Sequence, residues 1–155
     1  MDKQNIFIKK VCDMLEIDIP AVEIDLLGGH ECAEYFPKED KIIIIKDGKD
    51  AFFEIAHELR HKWQWEKKYD EYMSDYVEME SVDLKNYGKQ KAEIDANGFA
   101  MIVVPSFIDD IPTFKGYPMS ERTEIFKRAK ELSDEYNISL PWDKLYAMLW
   151  NEIRM

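Results

Sequence analysis

The sequence predicts an α+β fold in which a small, mainly antiparallel sheet packs on helices. Two observations carry that expectation. Residues 21–46 hold β-branched runs and alternations broken by turn residues. Most of the chain after residue 50 repeats its apolar residues at helical spacing. Strands grouped ahead of helices, rather than alternating with them, argue against a doubly wound parallel sheet. The 155 residues fit a single domain, 1–155. A chain of that size buries roughly 70% of its unfolded surface, enough for a core.

Residues 2–17 repeat Ile6, Val11, Met14 and Leu15 at helical spacing, and Pro20 bars further helix. Val22, Ile24 and Leu26 alternate with Glu23 and Asp25, which predicts a half-buried strand at 21–27, punctuated by Gly28 and Gly29. Two more strands, 31–36 and 41–46, flank the polar turn Pro37-Lys38-Glu39-Asp40. The consecutive Ile42, Ile43, Ile44 and Ile45 favour a strand covered on both faces. Asp47-Gly48 ends it, and a helix is expected over 50–69 with Asp50 as its N-cap. Phe52, Ala56, Leu59 and Trp63 form its apolar stripe.

Residues 70–87, rich in tyrosine and acid, read as a loop or short helix. A second strong helix spans 89–104 and is stopped by Pro105. Pro112, Gly116 and Pro118 mark a bend, after which Ser120 caps a helix at 121–136. Its apolar face is Ile125, Ala129, Leu132 and Tyr136. Pro141 breaks it, and a last helix at 142–153 shows Leu145, Met148, Leu149 and Ile153. These two helices are expected to pair antiparallel and to support the 50–69 helix.

The charge balance bounds the partners. Against 21 Lys+Arg stand 32 Asp+Glu, a net charge of −11. Such a surface repels phosphate backbones and anionic membranes, so neither direct nucleic-acid binding nor a membrane partner is expected. Basic proteins are attracted. No apolar run approaches the roughly 18 residues of a membrane span. Cys12 and Cys32 make no disulfide framework, and the opening residues do not read as a secretory leader. The expectation is a reduced, soluble, cytoplasmic protein. The oligomeric state is not legible.

Inside the 50–69 helix stands His57-Glu58-Leu59-Arg60-His61, the pattern H-E-x-x-H. Residues four apart on a helix lie about 40° apart around its axis, one turn up. Both imidazoles therefore reach one metal ion. Glu58 lies about 100° from His57, where it can serve the reacting water without ligating. A catalytic zinc takes three protein ligands. The third has several candidates: Glu93, then Asp95 and His30. Glu93 shares a helical face with Ala96, Asn97 and Ala100, and the two alanines let that helix approach the histidines. Asn97, one turn on, could orient a ligand histidine from behind. Asp95 points about 200° away from Glu93. His30 and Cys32 offer a weaker second metal pair, Trp65 a site-lining ring, and Tyr69, Tyr72 and Tyr76 mainly packing.

The combination His57-Glu58-Leu59-x-His61, Glu93-x-Asp95-Ala96-Asn97-x-Phe99-Ala100 and Pro105 resembles the ImmA/IrrE family of zinc metallopeptidases. The glycines, aromatic strand, turn and Ile-rich strand before it are similar too, so the resemblance covers about residues 26–105. It implies a zincin-like core, zinc as cofactor, His57, His61 and Glu93 as ligands, and Glu58 as general base. Members often carry a helix-turn-helix segment, which is not evident in this sequence, or work beside a repressor, which implies a regulatory protein as substrate. Arg60 departs from the family, which usually has glycine there. A cation at that place would narrow the site or hold a substrate carboxylate.

The leading reading is therefore an intracellular zinc endopeptidase acting on a protein or peptide. Its alternative is a zinc-containing protein-binding module that displaces a basic partner without cutting it. Glu58 favours the enzyme, because a purely structural zinc needs no base beside it.

Overall fold

A computed structural model describes residues 2–77, 87–108, 111–112, 114 and 117–147. The architecture is α+β. Helix α1 spans Lys3–Leu15, and Asp2 caps it by accepting from the Asn5 N–H at 2.7 Å. It ends at Glu16, which adopts the left-handed conformation, before Pro20 is reached. The buried face is Phe7, Ile8, Val11, Cys12 and Leu15, whereas Ile6 is exposed.

The sheet holds β1 (Ala21–Ile24), β2 (Glu34–Phe36) and β3 (Lys41–Ile44), in the order β1-β3-β2. β2 and β3 form the expected antiparallel hairpin, with Tyr35 opposite Ile42. β1 pairs with β3 in parallel, Val22 opposite Ile42. The sheet is thus mixed, which corrects the mainly antiparallel expectation. The reason lies in burial. The central slot must be covered on both faces, and only β3 is apolar on both: Ile42, Ile43 and Ile44 are all buried. β1 takes an edge and is mostly exposed, Ile24 included, and it stops short of Leu26, which is exposed too. Residues 25–33 then arch about 10 Å, two strand spacings, from β1 to the far side of β3.

Helix α2 spans Gly48–Lys67 and starts two residues before the expected point. Asp47 occupies its N-cap position, and Asp50 lies in the first turn, where it favours the helix N-terminus electrostatically. A short α3 (Tyr69–Tyr72) follows. Helix α4, Lys91–Phe107, runs on through Pro105. Pro105 has no N–H to give the helix ladder, yet the ladder resumes beyond it, with the Ile108 N–H donating to the Val104 carbonyl at 2.9 Å. Helix α5, Met119–Glu135, begins just after Pro118, so Ser120 lies in its first turn and is not its cap. Residues 142–147 are helical, with Leu145 buried; Met148, Leu149 and Ile153 lie outside the described residues.

One core joins these elements. Leu59 of α2, Phe99 and Ile102 of α4, and Ile125 and Leu132 of α5 are fully or almost fully buried together with Ile42 and Ile44. Each such side chain contributes roughly 1.5–3 kcal/mol by leaving water. α4 packs against α2 on one side and α5 on the other, so α5 buttresses the Glu93 helix more than the histidine helix. At the α4–α5 crossing a side chain on Gly98 would come within 3.2 Å of the Ala129 backbone nitrogen, so glycine permits this approach. No helix among the described residues is long and apolar enough to cross a membrane.

Candidate metal centre

α2 is amphipathic in an unusual sense. Its stripe of Phe52, Ala56 and Leu59 is anchored in the core, with Trp63 packed against it, while His57 and His61 face α4 across a cleft. The two Nε2 atoms lie 3.1 Å apart. Glu93 of α4 places Oε2 3.0 Å from His57 Nε2 and Oε1 3.2 Å from His61 Nε2. Among the described residues, His57, His61 and Glu93 form a three-residue group that could hold a metal ion, their ligand atoms all within 4.8 Å of one another.

The donor chemistry fits a metal ion. His57 Nδ1 faces Asn97 Oδ1 at 2.8 Å, and His61 Nδ1 faces Gln64 Oε1 at 2.7 Å. The Gln64 amide orientation is fixed, because its NH₂ donates to the Ala92 carbonyl at 3.0 Å and to Asp95 Oδ2 at 2.8 Å. An amide oxygen only accepts, so Nδ1 of each ring carries a hydrogen, which leaves Nε2 as the atom that would ligate a metal. Burial by itself would push the Glu93 carboxyl up, but the two imidazoles hold it well below the usual carboxylate range. Burial likewise opposes charge on His61, yet Glu93 overrides it and lifts His61 to about 10. A buried carboxylate between two imidazoles is a site built to hold positive charge.

Glu58 stands apart from this trio. It is 5% exposed, with Oε1 3.8 Å from His57 Nε2. Burial raises its proton affinity, and the neighbouring imidazoles only partly offset that. It lines the same cleft as the trio, a space of about 1320 Å³.

The other sequence candidates separate. Asp95 turns away from the histidines and holds Arg60 at 2.7 Å, Arg128 at 2.8 Å and Gln64. Arg60 is fully buried, stacked on the Trp63 ring with its guanidinium carbon 3.6 Å from the centroid, and also bonded to the Tyr136 hydroxyl at 3.0 Å. It therefore neither narrows the site nor meets a substrate. Residue 60 flanks the histidine face of α2, about 60° around the axis from His57, but its side chain is drawn to Asp95, Tyr136 and Trp63, and its charge needs Asp95. His30 is bonded to Asp25 at 2.6 Å. His30, Cys32 and Trp65 all line the cleft, but neither His30 nor Cys32 joins a metal-binding group among the described residues.

Two residues beside the trio escaped the sequence reading of their roles. Tyr76 donates from its hydroxyl to Glu93 Oε1 at 2.7 Å and lies 2.5 Å from the Tyr87 hydroxyl. Burial and then the Glu93 charge push both phenols up, so both stay protonated. Gln64 is the other, the link between Asp95 and His61. Its position three residues after His61, on the same helical face, was a usable signal. Tyr76 had none, because its approach to Glu93 depends on how residues 68–77 fold back.

Comparison of the chain with family models, curated proteins and solved structures returns no match.

Proposed function

We propose that this chain is a zinc-dependent endopeptidase with a zincin-like core of the ImmA/IrrE kind, acting on a protein substrate such as a regulatory protein. One observation carries the reading. His57 Nε2, His61 Nε2 and the Glu93 carboxylate converge on a point in an open cleft, with Glu58 beside them and outside the ligand trio. A structural zinc closes its shell with four protein ligands, whereas three ligands and a neighbouring carboxylate suit hydrolysis. Imidazole and carboxylate donors also suit zinc.

Bound there, zinc would polarise the substrate carbonyl and make water more acidic. The chain's own residues do the rest. Asn97 and Gln64 hold the two rings with Nε2 aimed inward. Tyr76 steadies Glu93 through Oε1. Glu58 takes a proton from the attacking water on its carboxylate and hands it to the leaving amine.

Glu58→Gln tests this. The substitution keeps size and shape but removes the base. Elemental analysis of purified protein should find the metal retained, while cleavage of quenched-fluorescent peptides falls about 10²–10⁴-fold. Loss of metal would make Glu58 a ligand. Wild-type protein that carries metal, binds its partner and cuts nothing would put the binding-module reading in place of the peptidase.

A further inference from the structure

We propose that the cleft selects a basic substrate: Glu121 receives an Arg or Lys side chain of the peptide that lies across the site. This rests on the peptidase reading and adds the substrate class to it.

Glu121 lies in the first turn of α5 and lines the same cleft as His57, His61 and Glu93. It is 5% exposed. Among the described residues its carboxylate has no hydrogen-bond or ion-pair partner. That sets it apart from the other buried carboxylates: Glu93 has two imidazoles and Tyr76, Asp95 has two guanidiniums and Gln64, and Glu58 stands beside His57. The Glu121 oxygens still open onto the cleft, since no fully buried side-chain oxygen among the described residues lacks a partner, and a cation entering there would meet a carboxylate whose burial already disfavours its charge.

Its surroundings favour an organic cation. Gly88 is packed so closely that a Cβ there would lie 2.7 Å from Glu121 Oε1 and 2.9 Å from Oε2, so the absence of a side chain at 88 leaves room for the carboxylate. Tyr117 lines the same cleft and feels the Glu93 and Glu121 charges, and an aromatic ring near a carboxylate suits guanidinium or ammonium. A metal ion finds no such set here, since Glu121 belongs to no metal-binding group among the described residues. The wider wall agrees in sign. Beyond Glu58 and Glu93, it carries Glu31, Glu34, Glu54 and Glu121 against Lys46. Lys89 attracts Glu121 only at a distance, and Glu93 repels it.

The test compares matched quenched-fluorescent peptides carrying Arg, Lys, Gln or Glu at each position around the scissile bond. Zinc-loaded wild type, Glu121→Gln and Glu121→Lys are assayed, with thermal unfolding as the check on folding. Wild type should prefer the basic peptide by about 30-fold or more in kcat/KM, as expected for a buried charge pair. Glu121→Gln should flatten that preference, and Glu121→Lys should reverse it toward Glu peptides. A second arm measures binding without turnover, by anisotropy of labelled Arg and Glu peptides on Glu58→Gln and on Glu58→Gln/Glu121→Gln. Cleavage with no preference for charge overturns the inference and leaves the peptidase standing. No cleavage, with Arg-peptide binding that depends on Glu121, upholds the subsite and fells the peptidase. A Glu121→Gln protein that only unfolds earlier while keeping the basic preference overturns the inference, leaving Glu121 a helix-terminal charge.

Discussion

Arg60 and Asp95, both buried, bind each other through two hydrogen bonds of 2.7 and 3.2 Å and so tie the histidine helix to the Glu93 helix. The bidentate geometry suits a guanidinium and a carboxylate. Burial alone would raise the Asp95 carboxyl, but Arg60, Gln64 and Arg128 hold it below its usual range. The pair also reaches the metal centre, since Asp95 fixes Gln64 and Gln64 fixes His61.

Asp95→Asn should therefore be among the most damaging substitutions outside the cleft. It leaves a fully buried guanidinium without its counter-charge. Breaking a buried pair in this way costs about 3–5 kcal/mol. Denaturant unfolding at neutral pH measures it. A loss below about 1 kcal/mol would mean that Tyr136 and Trp63 suffice to hold Arg60.

Asn97→Ala and Tyr76→Phe should weaken metal binding without removing a ligand. Asn97 supports His57 at 2.8 Å, and Tyr76 supports Glu93 at 2.7 Å. Removing such supporting partners typically costs about 10–100-fold in affinity. Competition against a chromogenic chelator reads the effect directly, and Glu93→Ala should cost far more than either. An unchanged affinity in Tyr76→Phe would make that hydroxyl a packing feature only.

Chelation should lower the unfolding temperature yet leave the chain folded. The core of Ile42, Leu59, Phe99, Ile125 and Leu132 lies apart from the ligand point, and without metal the His61–Glu93 ion pair holds the trio together. Added zinc should raise the transition by mass action, in step with its concentration. Circular dichroism across a chelator and zinc titration checks both. Complete unfolding on chelation would class the site as structural.

Cys12 should be inert to thiol reagents through neutral pH. Burial pushes its thiol up to about 12, against an ordinary 9.0, with nearby Lys62 opposing only in part. A thiol whose folded value is raised contributes stability that is complete below about pH 9 and is lost as pH climbs towards 12. Cys12→Ala should therefore show a shallower alkaline loss of stability than wild type between those limits, and alkylation of native protein should favour Cys32. Rapid modification of Cys12 at pH 8 would contradict this.

Much of the protein is written locally in its sequence. Helix periodicity, the Ile42–Ile45 run and the 37–40 turn are short-range signals, and the elements form where those signals stand. His57, Glu58 and His61 lie on one helix, so their common face follows from 3.6 residues per turn alone. The choice of Glu93 over Asp95 also followed from helical angle. What local pattern could not decide was which element packs against which. The parallel pairing of β1 with β3 arose because burial gave the central slot to β3, which among the described strands is the one apolar on both faces. The burial of Arg60 depended on Asp95, 35 residues away, and the approach of Tyr76 to Glu93 on a segment that folds back over the cleft. Glu121 carries no signal in the local sequence; the docking of α5 on α4 brings it to the cleft wall. Such relationships join residues far apart in the chain, and only the packed core brings them within reach.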